Sequence, residues 1–143
     1  MPLIAFRSIG VPGAFRNRQG LRQWLTAVAK SHGREIESIA FVLMSDNALL
    51  EYNRKYLKHD YFTDVITFSY SIGSALNGDV LLSYDRIKVN AAAFETSFQG
   101  ELRRVMVHGL LHLLGQKDDR ASEKRAMRAM EDQSLEEYRR LGC

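Results

Sequence analysis

The chain has 143 residues, of which 45% are hydrophobic and 26% charged, and its formal net charge at pH 7 is +3. This composition, with only two prolines, excludes a disordered chain and predicts one folded domain over residues 1–143. The longest apolar run, residues 105–114, is too short for the roughly 18 residues that span a bilayer, so we expect no membrane partner.

The amino terminus and the cysteine content indicate the compartment. The first residues lack the basic stretch, apolar stretch and small-residue cleavage site of a secretory signal. Cys143 is the single cysteine, which excludes an internal disulfide and argues against a thiolate metal cluster. We therefore expect a cytoplasmic protein, whose mild positive charge permits a polyanionic partner.

Hydrophobic periodicity predicts the elements of the first half of the chain. In order, they are a strand, a helix, a strand and a helix over residues 3–9, 19–31, 36–44 and 47–57. Either Ser45 or Asp46 offers the N-cap of the second helix.

The second half contains two more strands and three helices. Residues 63–70 and 79–84 are predicted strands, close enough along the chain to form an antiparallel pair. The helices are predicted over residues 86–98, 100–114 and 122–141, with a break near Gln99 and Gly100. This order predicts an α+β fold, a small mixed sheet of about four strands packed with about five helices.

Two histidines four residues apart lie on the apolar helix 100–114. His108 and His112 share one helix face, so both can offer a nitrogen to one ion at about 2.0 to 2.1 Å. A lone histidine there would more often be a satisfied core residue. Two buried imidazoles among aliphatic side chains are costly unless their nitrogens are satisfied, which favours a metal site.

The glycine after the second histidine indicates where a third ligand lies. Gly115 can end the helix in a left-handed conformation and turn residues 116–119 back toward the histidines. A carboxylate from this turn would complete three protein ligands and leave a position for water or substrate, as in catalytic zinc sites. The alternative is that the acidic pair Asp118 and Asp119 caps the next helix.

The residue after the first histidine bears on the reaction. Zinc peptidases of the His-Glu-x-x-His type use that glutamate as the general base, whereas this chain has Gly109 there. A glycine within a helix costs about 1 kcal/mol relative to alanine, so we expect it to leave room for a close neighbour, either backbone or substrate.

Three blocks resemble the YbeY family of bacterial endoribonucleases, the rRNA maturation factors. The first is HGLLHLLG, which begins at His108 and is similar to the family's His-Gly-x-Leu-His-Leu-x-Gly signature. The second is NRKYLKHDYFTDVITF, from Asn53, and the third is GDVLLS, from Gly78. With Met127 and Glu131, the likeness extends over residues 53–131.

The resemblance implies a metal-dependent, single-strand-specific endoribonuclease that matures the 3′ end of small-subunit 16S rRNA and takes part in ribosome quality control. It implies one divalent ion per chain, generally zinc, and a zincin-like arrangement with the histidine helix at its centre. The implied partners are single-stranded RNA or an rRNA precursor, the small ribosomal subunit and its assembly factors.

The resemblance also implies the ligand set, which is the expected catalytic set. Asp118 stands where most members have a third histidine, so the set is His108, His112 and Asp118, with Asp119 as the fallback. An anionic ligand makes the ion a weaker Lewis acid.

A second departure is Leu57, which stands at the position of a family arginine. Other basic residues are therefore the candidates for RNA contact: Arg54, Lys58, His59, Arg103 and Arg104. Two other functions share the ligand spacing and stay open, a metallopeptidase-like hydrolase and a non-catalytic ribosome-assembly factor whose metal is structural.

Overall fold

A computed structural model describes residues 2–142, so Cys143 and the prediction made for it lie outside the described residues. The strands are β1 (Leu3–Ser8), β2 (Glu35–Met44), β3 (Val65–Ser69) and β4 (Ala75–Ser83). The helices are α1 (Arg18–Ser31), α2 (Asp46–Leu57), α3 (Tyr84–Ala93), α4 (Phe98–Leu113) and α5 (Ala121–Arg140).

The sheet described within residues 2–142 has the order β1-β2-β4-β3. β2 is parallel to both of its neighbours, whereas β3 runs antiparallel to β4. The predicted α+β fold, a small mixed sheet of four strands packed with five helices within these residues, is therefore confirmed, including the antiparallel pairing of the third and fourth strands. No helix within the described residues is long and apolar enough to cross a bilayer.

The two faces of the sheet have separate apolar cores, because side chains alternate along a strand. On one face, Val80 and Leu82 of β4 belong to the large core formed with α1 and α4. On the other face, Leu81 packs with Leu49 of α2. Helix α4 packs against β3, β4, α3 and α5, and is thus placed between the sheet and the last helix.

Helix α4 lies close to the sheet at Gly109. A Cβ added there would lie 2.5 Å from Cγ1 of Val80, a side chain that is fully buried in β4. The expected close neighbour of Gly109 exists, but it is a sheet side chain and not backbone or substrate. The glycine therefore sets the distance between α4 and the sheet.

The predicted boundaries differ most from the structure at two places. The break between α3 and α4 covers residues 94–97 and not Gln99 and Gly100, because the Ser97 side chain caps α4 by accepting from the Gly100 N–H. Strand β4 begins at Ala75, four residues earlier than predicted, since the turn before it is tight and uses Gly73 at φ 69°.

Candidate metal centre

The end of α4 forms one side of the site. The Gln116 N–H donates to the Leu111 carbonyl, the Gly115 N–H donates to the His112 carbonyl, and Gly115 has φ 102°. These are the bonds of a Schellman motif, in which a left-handed glycine closes a helix. The predicted left-handed glycine is confirmed, and the chain turns back toward His108 after it.

The turn brings three ligand atoms together. Nε2 of His108 and Nε2 of His112 are 3.0 Å apart, and Asp118 Oδ2 lies 3.4 Å from the first and 3.3 Å from the second. Donors about 2.0 to 2.1 Å from a tetrahedral ion are separated by about 3.3 Å. The triangle therefore fits a divalent ion and leaves its outer side open for a further ligand.

The alternative explanation of the acidic pair is wrong. The residue at the N-cap of α5 is Arg120, whose backbone N–H donates to Glu123, and neither Asp118 nor Asp119 caps the helix. Asp119 lines the same cavity but is not part of the ligand triangle.

Glu131 of α5 fixes the orientation of one histidine. Its Oε2 lies 2.6 Å from Nδ1 of His108, and its Oε1 accepts from Arg104 at 2.8 Å. Facing an ionised carboxylate, which can only accept, the neutral form of His108 carries its proton on Nδ1 and keeps its lone pair on Nε2, the atom in the triangle.

Burial and charge act in opposite directions on the ionisable groups here. Burial lowers the pKa of His108, but the hydrogen bond and charge of Glu131, together with Asp64 and Asp118, outweigh it and raise that pKa. Burial raises the pKa of Asp64, and the nearby His108 only partly opposes this shift.

The triangle lies in a cavity of about 720 Å³. Asn53 holds the loop that forms one wall, since its Nδ2 donates to the Tyr61 carbonyl. The remaining wall residues come from the end of α2, that loop, β3, the turn after α4 and the first turn of α5: Leu57, His59, Tyr61, Thr63, Asp64, Val65, Ile66, Thr67, Asp119 and Lys124.

The candidates for RNA contact in α2 and just after it lie at different places. His59 lines the cavity, where its ring stacks on that of Tyr61 with centroids 5.1 Å apart. Arg54 forms ion pairs with Glu51 and Asp60 outside it. Lys58 is exposed at the end of α2 and is not among the cavity residues.

The two candidates on α4, Arg103 and Arg104, line a different cavity. The guanidinium of Arg103 stands 4.4 Å from the ring centroid of Tyr138, and Arg104 forms ion pairs with Glu131 and Asp132. Both arginines line a second cavity, of about 500 Å³, and not the one that holds the histidines.

Four residues of the site received no role from the sequence. Asn53, Asp64 and Lys124 line the cavity, and Glu131 lies behind His108. A signal existed for Glu131, because it shares the buried face of α5 with Met127. A carboxylate at such a position needs a partner.

The chain is similar to known proteins in sequence and in fold. Residues 11–139 match the family model described as Endoribonuclease YbeY. Two relatives bear that same name: the Cytophaga hutchinsonii protein is 45% identical over 84% of this chain and 85% of its own length, and the Bacteroides thetaiotaomicron protein is 39% identical over 92% and 96%.

A solved structure has the same fold. The solution structure of a Thermotoga maritima protein superposes with a TM-score of 0.65 at 23% identity, and covers 95% of this chain and 89% of its own. The family match spans most of the residues that form the sheet and the histidine cavity. The chain therefore belongs to the Endoribonuclease YbeY family.

Proposed function

We propose that this chain is a metal-dependent endoribonuclease that cleaves single-stranded RNA in the cytoplasm. The biological substrate that we propose is the rRNA precursor, at the 3′ end of small-subunit 16S rRNA, with a further role in ribosome quality control. The partners are then the small subunit and its assembly factors. We also propose that residues 1–143 act as one domain.

One observation carries the proposal: three ligand atoms at mutual distances of 3.0 to 3.4 Å in an open cavity. His108, His112 and Asp118 are the proposed ligands and hence the catalytic set. The proposed ion is one Zn²⁺ per chain, since two imidazoles and a carboxylate suit that metal. When bound, it supplies Lewis acidity toward a phosphoryl oxygen and activates water.

The residues of the chain have separate tasks around that centre. His108 and His112 present Nε2, and Asp118 adds one negative charge that offsets part of the charge of the ion. His59 and Lys124 line the same cavity and are placed to contact phosphate oxygens. Leu57 puts an apolar side chain on the wall, so the charge has to come from these neighbours.

The exposed aromatic side chains of the cavity support a single-stranded substrate. Tyr61 is 55% exposed, and its hydroxyl is hydrogen-bonded to Nδ1 of His59 at 3.0 Å. An exposed aromatic pair offers a stacking surface to an unpaired base, whereas the bases of a duplex are already stacked on each other. This supports single-stranded RNA as the substrate.

The test compares RNA and protein substrates on the same preparation. Zinc-loaded protein should nick single-stranded RNA, leave the matching duplex and an unstructured protein intact, and lose activity with a chelator. Protein cleavage without RNA cleavage would favour the metallopeptidase alternative. If chelation unfolded the protein, and a folded His112→Ala variant still supported ribosome assembly, the metal would be structural.

A further inference from the structure

We propose that Arg104 and Glu131 are positioning residues for the metal ligand His108, and that Arg104 is thereby a determinant of metal affinity. The inference rests on the proposed metal site. It removes Arg104 from the residues expected to bind RNA and gives it a task inside the protein.

The two carboxylate oxygens of Glu131 bind different partners. The Glu131 side chain is 8% exposed, and each of its oxygens has one partner: Oε2 has His108 Nδ1 at 2.6 Å and Oε1 has Arg104 at 2.8 Å. A buried carboxylate with both oxygens engaged has little freedom to rotate. Carboxylates placed in this way behind a ligating histidine fix its tautomer and ring orientation.

Arg104 holds the carboxylate of Glu131 in place. Arg104 donates with one nitrogen to Glu131 and with another to Asp132 at 2.7 Å, so its planar fork grips two successive residues of α5. Arg104 also precedes His108 by one helical turn on the same face of α4. The fork thus ties the position of Glu131 on α5 to the helix that carries the imidazole.

A positioning role for Arg104 and a simple charge effect predict opposite changes in zinc affinity. Removing a nearby cation should strengthen the binding of another cation by Coulomb's law. Loss of the anchor has the opposite effect, because the imidazole is then less well oriented and less basic. The sign of the change in zinc affinity therefore distinguishes the two.

The experiment measures zinc affinity on the full chain without RNA, by competition with a chromophoric chelator. Arg104→Ala should weaken zinc binding about tenfold, the lower end of the range for residues behind a metal ligand. Arg104→Lys keeps the charge but lacks the fork, and should give a smaller loss. Arg103→Ala is the matched control, because it removes the same charge one residue away, over Tyr138, and should not weaken zinc binding.

Folding is checked by thermal melts and circular dichroism, and a readout on the unaltered protein covers variants that fail to fold. In the ¹⁵N NMR spectrum of the zinc-free wild type at a pH where His108 is neutral, His108 should carry its proton on Nδ1. Glu131→Gln should weaken that preference and lower zinc affinity.

Three outcomes decide the matter. Weaker zinc binding by Arg104→Ala but not by Arg103→Ala supports the positioning role. Unchanged or tighter binding by a folded Arg104→Ala variant, or a His108 proton on Nε2, overturns it. Failure of the wild type itself to bind zinc would overturn the proposed metal site instead.

Discussion

Nε2 of His112 lies 3.0 Å from Nε2 of His108, and one oxygen of Asp118 stands within 3.4 Å of both. Two imidazole nitrogens so close to a shared carboxylate oxygen form three corners of a tetrahedron. A divalent ion at the centre of that tetrahedron can bind all three side chains only if they keep these places.

The identity of the third ligand can be tested with neighbouring aspartates. Asp118→Ala should weaken zinc binding at least tenfold, since it removes one of three protein ligands. Asp119→Ala removes the same charge at a position outside the triangle and serves as the control. Asp118→His replaces one possible ligand with another and should keep zinc bound. Equal losses from the two alanine variants would show that only the charge matters.

A methyl group at Gly109 should destabilise the protein. Gly109→Ala brings a Cβ to 2.5 Å from Val80 Cγ1, so overpacking should cost about 1 to 3 kcal/mol of unfolding free energy. Set against the gain of about 1 kcal/mol from the better helix propensity of alanine, this predicts a net loss of up to about 2 kcal/mol. Urea denaturation measures the difference.

The same packing predicts a rescue. Adding Val80→Ala to Gly109→Ala removes the clashing methyl groups, so the double variant should be more stable than the sum of the two single losses implies. Strictly additive losses would mean that Val80 is not the obstacle.

A buried acid away from the ligands makes stability depend on pH. Burial raises the pKa of Glu101 above its ordinary value of 4.5, and the charge of Asp64 adds to this effect. The folded protein therefore holds the Glu101 proton to higher pH than the unfolded chain. As pH rises from the pKa of Glu101 in the unfolded chain through its pKa in the folded protein, the protein loses stability. Glu101→Gln removes the loss.

We therefore expect Glu101→Gln to stabilise the protein at pH 7 and to have a smaller effect at pH 4, where both states keep the proton. Thermal melts across this range measure the difference. Glu95→Gln, at an exposed position, is the control and should change the melting temperature at neither pH. A stabilisation that grew toward low pH would contradict the stated sign.

The cavity cations should determine how RNA binding responds to salt. Lys124→Ala should lower RNA affinity and reduce the salt slope by about 0.7, the value for one phosphate contact on a single strand. Leu57→Arg should have the opposite effect, because it adds a guanidinium to the cavity wall. Arg54→Ala serves as the control, since that side chain is engaged by Glu51 and Asp60. Equal slopes in all three variants would exclude this cavity as the RNA site.

The sequence predicted what depends on neighbouring residues along the chain. The spacing of His108 and His112 follows from helix periodicity, and the left-handed Gly115 follows from its position after the last helical turn. The order of strands and helices was correct for the same reason. The boundaries near Ser97 and Ala75 were missed because a side-chain cap and a tight turn decide them, and periodicity does not report either one.

Contacts between distant residues were beyond reach. Glu131 meets His108 across 23 positions, and Arg104 meets Glu131 across 27. As a basic residue on a helix, Arg104 is a candidate for RNA contact. Its ion pairs depend on how α5 crosses α4. Composition and spacing carry no information on that crossing, so the sequence could name the charge but not its partner.

The most direct test of the central claim measures zinc content and RNA cleavage on one preparation. Purified wild type should hold about one zinc per chain and nick single-stranded RNA, and His112→Ala, folded by its circular dichroism spectrum, should lose both. Full cleavage by wild-type protein from which all metal has been removed, or by the zinc-free His112→Ala variant, would contradict the account.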